Sequence, residues 1–393
     1  MDIAAPEPVP SRPPLRVGMI GYSFMGAAHA QAWHTASRFF DLPFAPELRA
    51  VAGRDEQAVS AAAARFSAAD HETDALRLIE REDIDLVDIC SPGDTHHELA
   101  LAALAAGKHV LCEKPLASTV AQAEEMTAAA ARAAEHGVRS LCGFNYRRVP
   151  ALALARELVA QGRLGRIRQI RAQYLQDWLS DVEAPITWRL QKDRAGAGAL
   201  GDIGSHAIDL AQWLSGQQVT AVSGTVDTFV ATRPVRAGSA ERAEVSVDDA
   251  ALFTARFDGG TLGSFEATRY ATGRRNALRI ELSGSEGALA FDFERMNELE
   301  FYDATDPAGR QGFRRIQATE PKHPYADHWW LAGHGLGYEH TFTHEIADLV
   351  TAIGEQQDPS PSFAEALHVQ RVMAAVQDSA ADESRWHDVG IRA

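Results

Sequence analysis

Cysteine is scarce in this chain, 3 in 393 residues, and Cys90, Cys112 and Cys142 each sit in or beside an apolar run. Their spacing fits no metal site, so they read as reduced thiols of a cytoplasmic protein. Long hydrophobic runs are missing too, and none approaches a membrane span. The first fourteen residues, MDIAAPEPVPSRPP, are proline-rich without the apolar core of a signal peptide, and read as a disordered tail. Basic residues are outnumbered, 38 Lys and Arg against 54 Asp and Glu, for a net charge of −16. That balance argues against nucleic acid, which needs clustered cations. It leaves room for a nucleotide cofactor held by backbone amides and one local cation. No internal repeat is visible. The length exceeds what one hydrophobic core usually serves, so two domains are expected.

Up to about residue 146, short apolar runs alternate with Ala-rich amphipathic stretches. The runs are LRVGMIG (15–21), LRAVAG (48–53), LVDIC (86–90), HVLCEKP (109–115) and RSLCGF (139–144). The alternation predicts right-handed crossovers and a parallel sheet covered by helices on both faces. The first run leads directly into GYSFMG, 21–26, which opens a helix. Gly21 makes the tight turn and Gly26 lets the helix pack on the strand, while Ser23, Phe24 and Met25 face a pyrophosphate at the helix N-terminus. The middle glycine of G-x-G-x-x-G is absent; Ser23 replaces it with a small side chain that still admits close approach. Also absent is the acid that ends the second strand and reads a ribose, where Gly53 and Arg54 stand instead. Two readings stay open. Arg54 stacks on adenine or pairs with a 2′-phosphate, tilting the site toward NADP or toward both cofactors; or it is a solvated surface residue and Asp55 takes the ribose.

From about residue 166 longer strand-like runs take over, several joined by Gly turns such as DGG and GSEG, as in antiparallel hairpins. The expected fold is α/β: a Rossmann dinucleotide-binding domain over 15–146 and an α+β domain with a large, mostly antiparallel open sheet over 147–393. Residues 232–247 read as a loop. A helix over 362–381, capped by Ser362, is expected to pack across the domain junction. One open sheet face needs cover and suggests a subunit interface.

Two stretches carry chemistry. CEKPLA, 112–117, ends a strand at the carboxyl edge of the sheet, where such folds bind ligands. Its Lys114, held extended before Pro115, can stabilise a developing alkoxide. GDIGSHAIDL, 201–210, puts Asp202, His206 and Asp209 four and three apart, on one face of a helix. Asp202 is either a helix cap or half of an acid–base pair with His206, whose ordinary pKa suits a hydroxyl proton. HEIAD, 344–348, lacks the second His of H-E-x-x-H, and His96 and His97 match no ligand pattern, so no metal is expected.

With VGMIGYSFMGAAHA, AGKHVLCEKPLA and GALGDIGSHAIDL in this order, the chain resembles the Gfo/Idh/MocA oxidoreductases from about residue 15 to its C-terminus. The resemblance implies a catalytic trio in which His206 is the general base, Lys114 polarises the alcohol oxygen and Asp202 orients substrate. It implies a cofactor site including Ser91, Pro92, His96, Glu113 and Lys114, with Gly93 where the family commonly has Asn. FNYRRVPALALA, YLQDW and WRLQKDRAGAGALGD look similar to the levoglucosan dehydrogenases and related sugar 3-dehydrogenases of that family. That likeness assigns Gln176 and Arg189 to sugar hydroxyls and Tyr146 to the cleft wall, and offers Trp178 and Trp188 as sugar-facing rings. Asn145, Arg147 and Arg148 are expected near the cleft, and Asp209 has either a functional or a structural part. The resemblance points to NAD, whereas Gly53 and Arg54 suggest NADP tolerance, and it implies a homodimer or homotetramer. The expected activity is transfer of hydride from a ring hydroxyl of a sugar or cyclic polyol. A redox glycosidase working through a 3-keto sugar would use the same trio.

Overall fold

The apolar runs of the first third become a sheet in the computed structural model, which describes residues 12–390. Its strands are β1 (Pro14–Ile20), β2 (Ala45–Ala52), β3 (Asp70–Glu72), β4 (Leu86–Ile89), β5 (His109–Glu113) and β6 (Ser140–Gly143), all parallel, in the order β3-β2-β1-β4-β5-β6. The crossovers are α1 (Phe24–Phe39), α2 (Glu56–Arg65), α3 (Ala75–Glu80), α4 (His96–Ala105) and α5 (Val120–Ala134). A sheet covered on both faces buries its strands on both sides, which is why they read as unbroken apolar runs. The exception is β3, whose Asp-His-Glu sequence at the sheet edge carries no hydrophobic signal. Of the expected tail, residues 1–11 lie outside the described residues, and Pro14 already pairs with Ala45.

After α6 (Pro150–Ala160) the second sheet is assembled from β7 (Ile167–Leu175), β8 (Val219–Asp227), β11 (Ala250–Phe257), β12 (Leu262–Thr268), β13 (Ala277–Gly284), β14 (Gly287–Asp292), β15 (Glu298–Asp303), β16 (Arg314–Gln317) and β17 (His387–Asp388). Its order is β16-β15-β14-β13-β7-β12-β11-β8-β17, antiparallel except where β12 lies parallel to β7. Residues 232–247 are more than the expected loop. β9 (Thr232–Pro234) and β10 (Arg242–Glu244) pair as a short ribbon. The buried guanidinium of Arg233 anchors it, donating to the carbonyls of Asp181 (2.7 Å) and Leu179 (2.8 Å). A buried arginine gives no periodic apolar signal, so the pattern conceals this ribbon.

The short α7 (Lys192–Ala195) and α8 (Ser205–Ser215) lead to the site, and α9 (Tyr338–Glu355) and α10 (Phe363–Ala381) tie the two sheets together. On α9, Phe342, Ile346, Leu349, Val350 and Ile353 form one apolar face and share a core with Leu15, Val17 and Met19 of β1 and Trp33 of α1. The chain therefore returns to the first sheet long after residue 146. Ser362 and Glu365 form a capping box at the start of α10 (Ser362 Oγ accepts from the Glu365 N–H at 3.3 Å, Glu365 Oε2 from the Ser362 N–H at 2.8 Å). Further along, Arg371 reaches Glu124 of α5 (3.0 Å), while Ser379 accepts from Gly224 of β8 (3.0 Å). One helix thus bridges both sheets. Removing the Leu349 side chain, which is fully buried in the α9–α1 core, is expected to cost about 2–5 kcal/mol; urea denaturation of Leu349→Ala measures it.

Candidate active site

A cleft of about 580 Å³ opens between the two sheets. At one end is the turn after β1. Gly21 has φ +102°, and a Cβ there would lie 2.8 Å from the Cys90 carbonyl carbon and oxygen, so only glycine fits. A Cβ on Gly26 would lie 2.3 Å from the Gly21 carbonyl oxygen. Gly26 thus serves close packing of helix on strand and does not line the cleft. Ser23, Phe24 and Met25 do line it. The first turn of α1 has neither an acidic residue nor a side-chain cap, so its free N–H groups suit an anion. These features fit a dinucleotide pyrophosphate.

Ser91, Pro92, Gly93, His96 and Glu113 form the adjoining wall. His96 braces it from behind, with Nδ1 3.0 Å from the Pro115 carbonyl and Nε2 3.0 Å from that of Ser91. Gly53 and Arg54 lie outside the cleft lining. The Tyr22 ring covers Gly53, where a Cβ would fall 2.0 Å from Cε1. Arg54 is exposed, and Asp55 is engaged as the cap of α2, accepting from the Ala58 N–H (2.8 Å).

At the other end Lys114, Asp202 and His206 come together. Asp202 is not a helix cap. Residues Leu200–Gly204 form a π-helical turn ahead of α8, and its cap comes from Asp248, whose two carboxylate oxygens accept from the N–H groups of Gly198 (2.7 Å) and Leu200 (2.8 Å). Gly198 is required there, since a Cβ would lie 1.8 Å from the Asp248 carbonyl oxygen. The Asp202 carboxylate is thereby released to the cleft, 3.5 Å from Lys114 Nζ and 3.6 Å from Arg269 Nη1. Lys114 Nζ also donates to the Asp202 carbonyl (2.7 Å). Burial favours the neutral acid, but Lys114, Arg269 and Arg189 outweigh it and hold Asp202 below the usual carboxylate range.

His206 is buried among Phe144, Tyr146 and Tyr174, with the Tyr146 ring centroid 4.6 Å away. Burial, and secondarily the Lys114 ammonium, push its pKa well below the ordinary imidazole value. It is therefore neutral at pH 7. Among the described residues no hydrogen bond engages its ring nitrogens, leaving the ring able to accept a proton.

Along the wall runs a polar chain. Tyr146 and Tyr174 share a hydroxyl contact (2.6 Å), and Asn276 Oδ1 accepts from Tyr174 (2.8 Å) and from Gln176 Nε2 (2.7 Å). Arg189, over the Trp188 ring at 4.5 Å, completes the rim. Sequence reasoning missed Tyr174, Asn276 and Tyr338 in the lining, and Arg269 behind Asp202. Tyr174 was signalled by its place two residues before Gln176, near the end of β7; no local pattern marks the others. Trp178 does not line the cleft. Its ring lies 5.4 Å from the Arg269 guanidinium and its Nε1 donates to Gln176 (3.0 Å). Asn145 lines the cleft, but Arg147 and Arg148 turn into the protein. Arg147 grips Asp209 through two hydrogen bonds (2.9 and 2.5 Å), which makes Asp209 structural.

Two family models match the chain, an oxidoreductase family NAD-binding Rossmann fold over residues 15–140 and a GFO/IDH/MocA C-terminal domain over 152–290. Levoglucosan dehydrogenase from Pseudarthrobacter phenanthrenivorans is 40% identical over 95% of this chain and 98% of its own length. The chain belongs to the Gfo/Idh/MocA oxidoreductases. Among solved structures, an oxidoreductase domain protein from Kribbella flavida is 60% identical, with TM-score 0.94 over 96% of this chain and 100% of its own. A levoglucosan dehydrogenase in complex with NADH and levoglucosan is 40% identical, with TM-score 0.91 over 96% and 99%. The first sheet is thus that of an NAD-binding Rossmann domain in this oxidoreductase.

Because Asp209 neutralises a buried guanidinium, Asp209→Asn is expected to cost about 3 kcal/mol or more. Thermal and urea unfolding read that loss, while NADH affinity of the folded fraction stays near wild type.

Proposed function

We propose that the chain is an NAD-dependent dehydrogenase of a sugar or cyclic polyol, oxidising a ring secondary hydroxyl. The observation that carries this reading is the convergence of Lys114, Asp202 and His206 in the cleft that the Gly21 turn and the α1 N-terminus also line. NAD, when bound, supplies the hydride acceptor. The uncapped α1 N-terminus and the Gly21 turn would hold its pyrophosphate, with Ser91, Pro92, His96 and Glu113 along its flank.

His206, neutral at pH 7, accepts the hydroxyl proton. Lys114 stabilises the developing negative charge on the same oxygen, and Asp202 orients the ammonium while accepting from a neighbouring hydroxyl. Tyr146, Gln176 and Arg189 bind the remaining ring hydroxyls, backed by Tyr174 and Asn276. Levoglucosan-like and glucoside-like rings oxidised at C3 are the substrates we infer, supported by the 40% identical levoglucosan dehydrogenase. The relatives favour the dehydrogenase over the redox glycosidase. Arg54, exposed at the end of β2, is the residue we assign to a 2′-phosphate where NADP is accepted.

A homodimer or homotetramer is supported by the open face of the second sheet, where Leu252 and Leu262 are about half exposed (49% and 57%) amid polar neighbours. Three free thiols, Cys112 and Cys142 fully buried, suit a cytoplasmic setting. Among the described residues no helix is long and apolar enough to cross a membrane.

His206→Ala is expected to lower kcat/KM for the best sugar by about a hundredfold or more with NADH binding retained; stopped-flow reduction of NAD at 340 nm measures it, and unchanged turnover would refute the base assignment. The pH dependence has a definite sign. A depressed imidazole pKa keeps the base form present above it, so the acid limb of kcat/KM lies below pH 6.5. In Lys114→Met the ammonium's repulsion is lost while burial remains, and the His206 ring resonance followed by NMR titrates at higher pH than in wild type.

A further inference from the structure

Behind the cleft wall lies a charged cluster that the proposed chemistry does not use. His29 of α1, fully buried, stands between two carboxylates: Nδ1 is 3.0 Å from both oxygens of Asp88, and Nε2 is 3.0 Å from Glu113 Oε1. Both ring nitrogens face acceptors, so only the doubly protonated imidazolium satisfies both. Both carboxylates accept from further donors. Asp88 accepts from Trp33 Nε1 (2.7 Å) and from the Cys90 thiol (3.4 Å), and Glu113 Oε2 accepts from the Lys114 N–H (3.1 Å). Two anions and one cation leave the cluster one net negative charge in a dry place.

We propose that the His29–Asp88–Glu113 cluster sets the cleft's preference for the oxidised, cationic nicotinamide over its neutral reduced form. Glu113 lines the cleft and is the chain neighbour of Lys114. A nicotinamide placed to take hydride beside Lys114 and His206 therefore lies within the field of this negative charge. In a low-dielectric wall that field favours the ring carrying a positive charge and disfavours the ring that has lost it. The other groups facing His29 leave this sign unchanged. Burial disfavours the His29 cation, but Asp88 outweighs it and holds the imidazole protonated above its usual range. Burial pushes Glu345 of α9 up to about 8, keeping it neutral at pH 7, and raises the Cys90 thiol and the Tyr338 hydroxyl. Phe342 contributes only a ring 5.3 Å away. The Lys114 side chain reaches away to Asp202, which it shares with Arg269, so the excess positive charge lies around Asp202 and the cluster is the negative pole.

The inference rests on the cofactor half of the proposed function and needs no sugar. The test is titration of the full chain with NAD+ and with NADH, without substrate, followed by calorimetry and by nicotinamide fluorescence. Glu113→Gln keeps the shape and removes the charge, and is expected to lower the ratio Kd(NADH)/Kd(NAD+) about tenfold relative to wild type. Asp88→Asn changes a residue outside the cleft lining. With Asp88 no longer a carboxylate, the ratio falls at about pH 6, where His29 neutralises Glu113, and at about pH 8.5, where the ring is neutral and Glu345 ionises in both proteins, it returns to that of wild type at the same pH. A role limited to packing or to touching the cofactor predicts neither the altered ratio from Asp88→Asn nor its pH dependence. If Glu113→Gln does not fold, Asp88→Asn decides alone. Variants that bind both nucleotides with a ratio within about twofold of wild type at both pH values overturn the proposal. Failure to find a sugar substrate leaves these titrations intact, and an unaltered ratio leaves the sugar reading intact.

Discussion

The Lys114–Asp202 pair joins the end of β5 to the π-helical turn before α8, and with it the two sheets of the molecule. Each partner is prepared by its own domain. Lys114 leaves β5 at the carboxyl edge of a parallel sheet, its backbone N–H fastened to Glu113. Asp202 is free to meet it because Asp248, just before β11, satisfies the turn's N–H groups instead. Charge and helix capping compete for carboxylates in most proteins; here two aspartates divide the work.

Around this pair the electrostatics are graded. Lys114, Arg269 and Arg189 gather near Asp202, the anionic cluster lies behind Glu113, and His206 is buried among aromatic rings with only the Lys114 ammonium acting on its charge. A base that stays neutral at pH 7, beside an ammonium, suits the removal of a proton from a hydroxyl oxygen as hydride leaves the carbon that bears it. The polar chain from Tyr146 to Gln176 adds hydroxyls and amides but no charge, as suits a ligand that is itself uncharged.

The rest of the fold keeps these walls at fixed separation. α9 carries the chain back to the first sheet and buries Phe342 and Leu349 against α1, while α10 is bonded to α5 on one side and to β8 on the other. Arg147 and Arg148, which follow β6 at the junction, spend their charge on Asp209, Glu365 and Asp348. A cleft built between two domains keeps its geometry only if the junction is a packed core with its buried charges paired.

The sequence by itself determined the parallel sheet and the glycine turn after β1, and it marked Lys114, Asp202 and His206, which the structure brings into one cleft. Those signals are local: apolar runs of strand length, a glycine that no other residue can replace, and short motifs at strand ends. Only the tertiary structure decided that Asp202 is a partner of Lys114 and Asp209 of Arg147, that Gly53 lies under Tyr22, and that Trp178 shields Arg269. It also decided the place of Tyr174, Asn276, Tyr338 and the His29 cluster, and of the ribbon anchored by Arg233. Most of these depend on contacts between residues tens of positions apart or more. Which neighbour satisfies a buried charge or hydrogen bond is set by how the layers pack, and no periodicity along the chain records it.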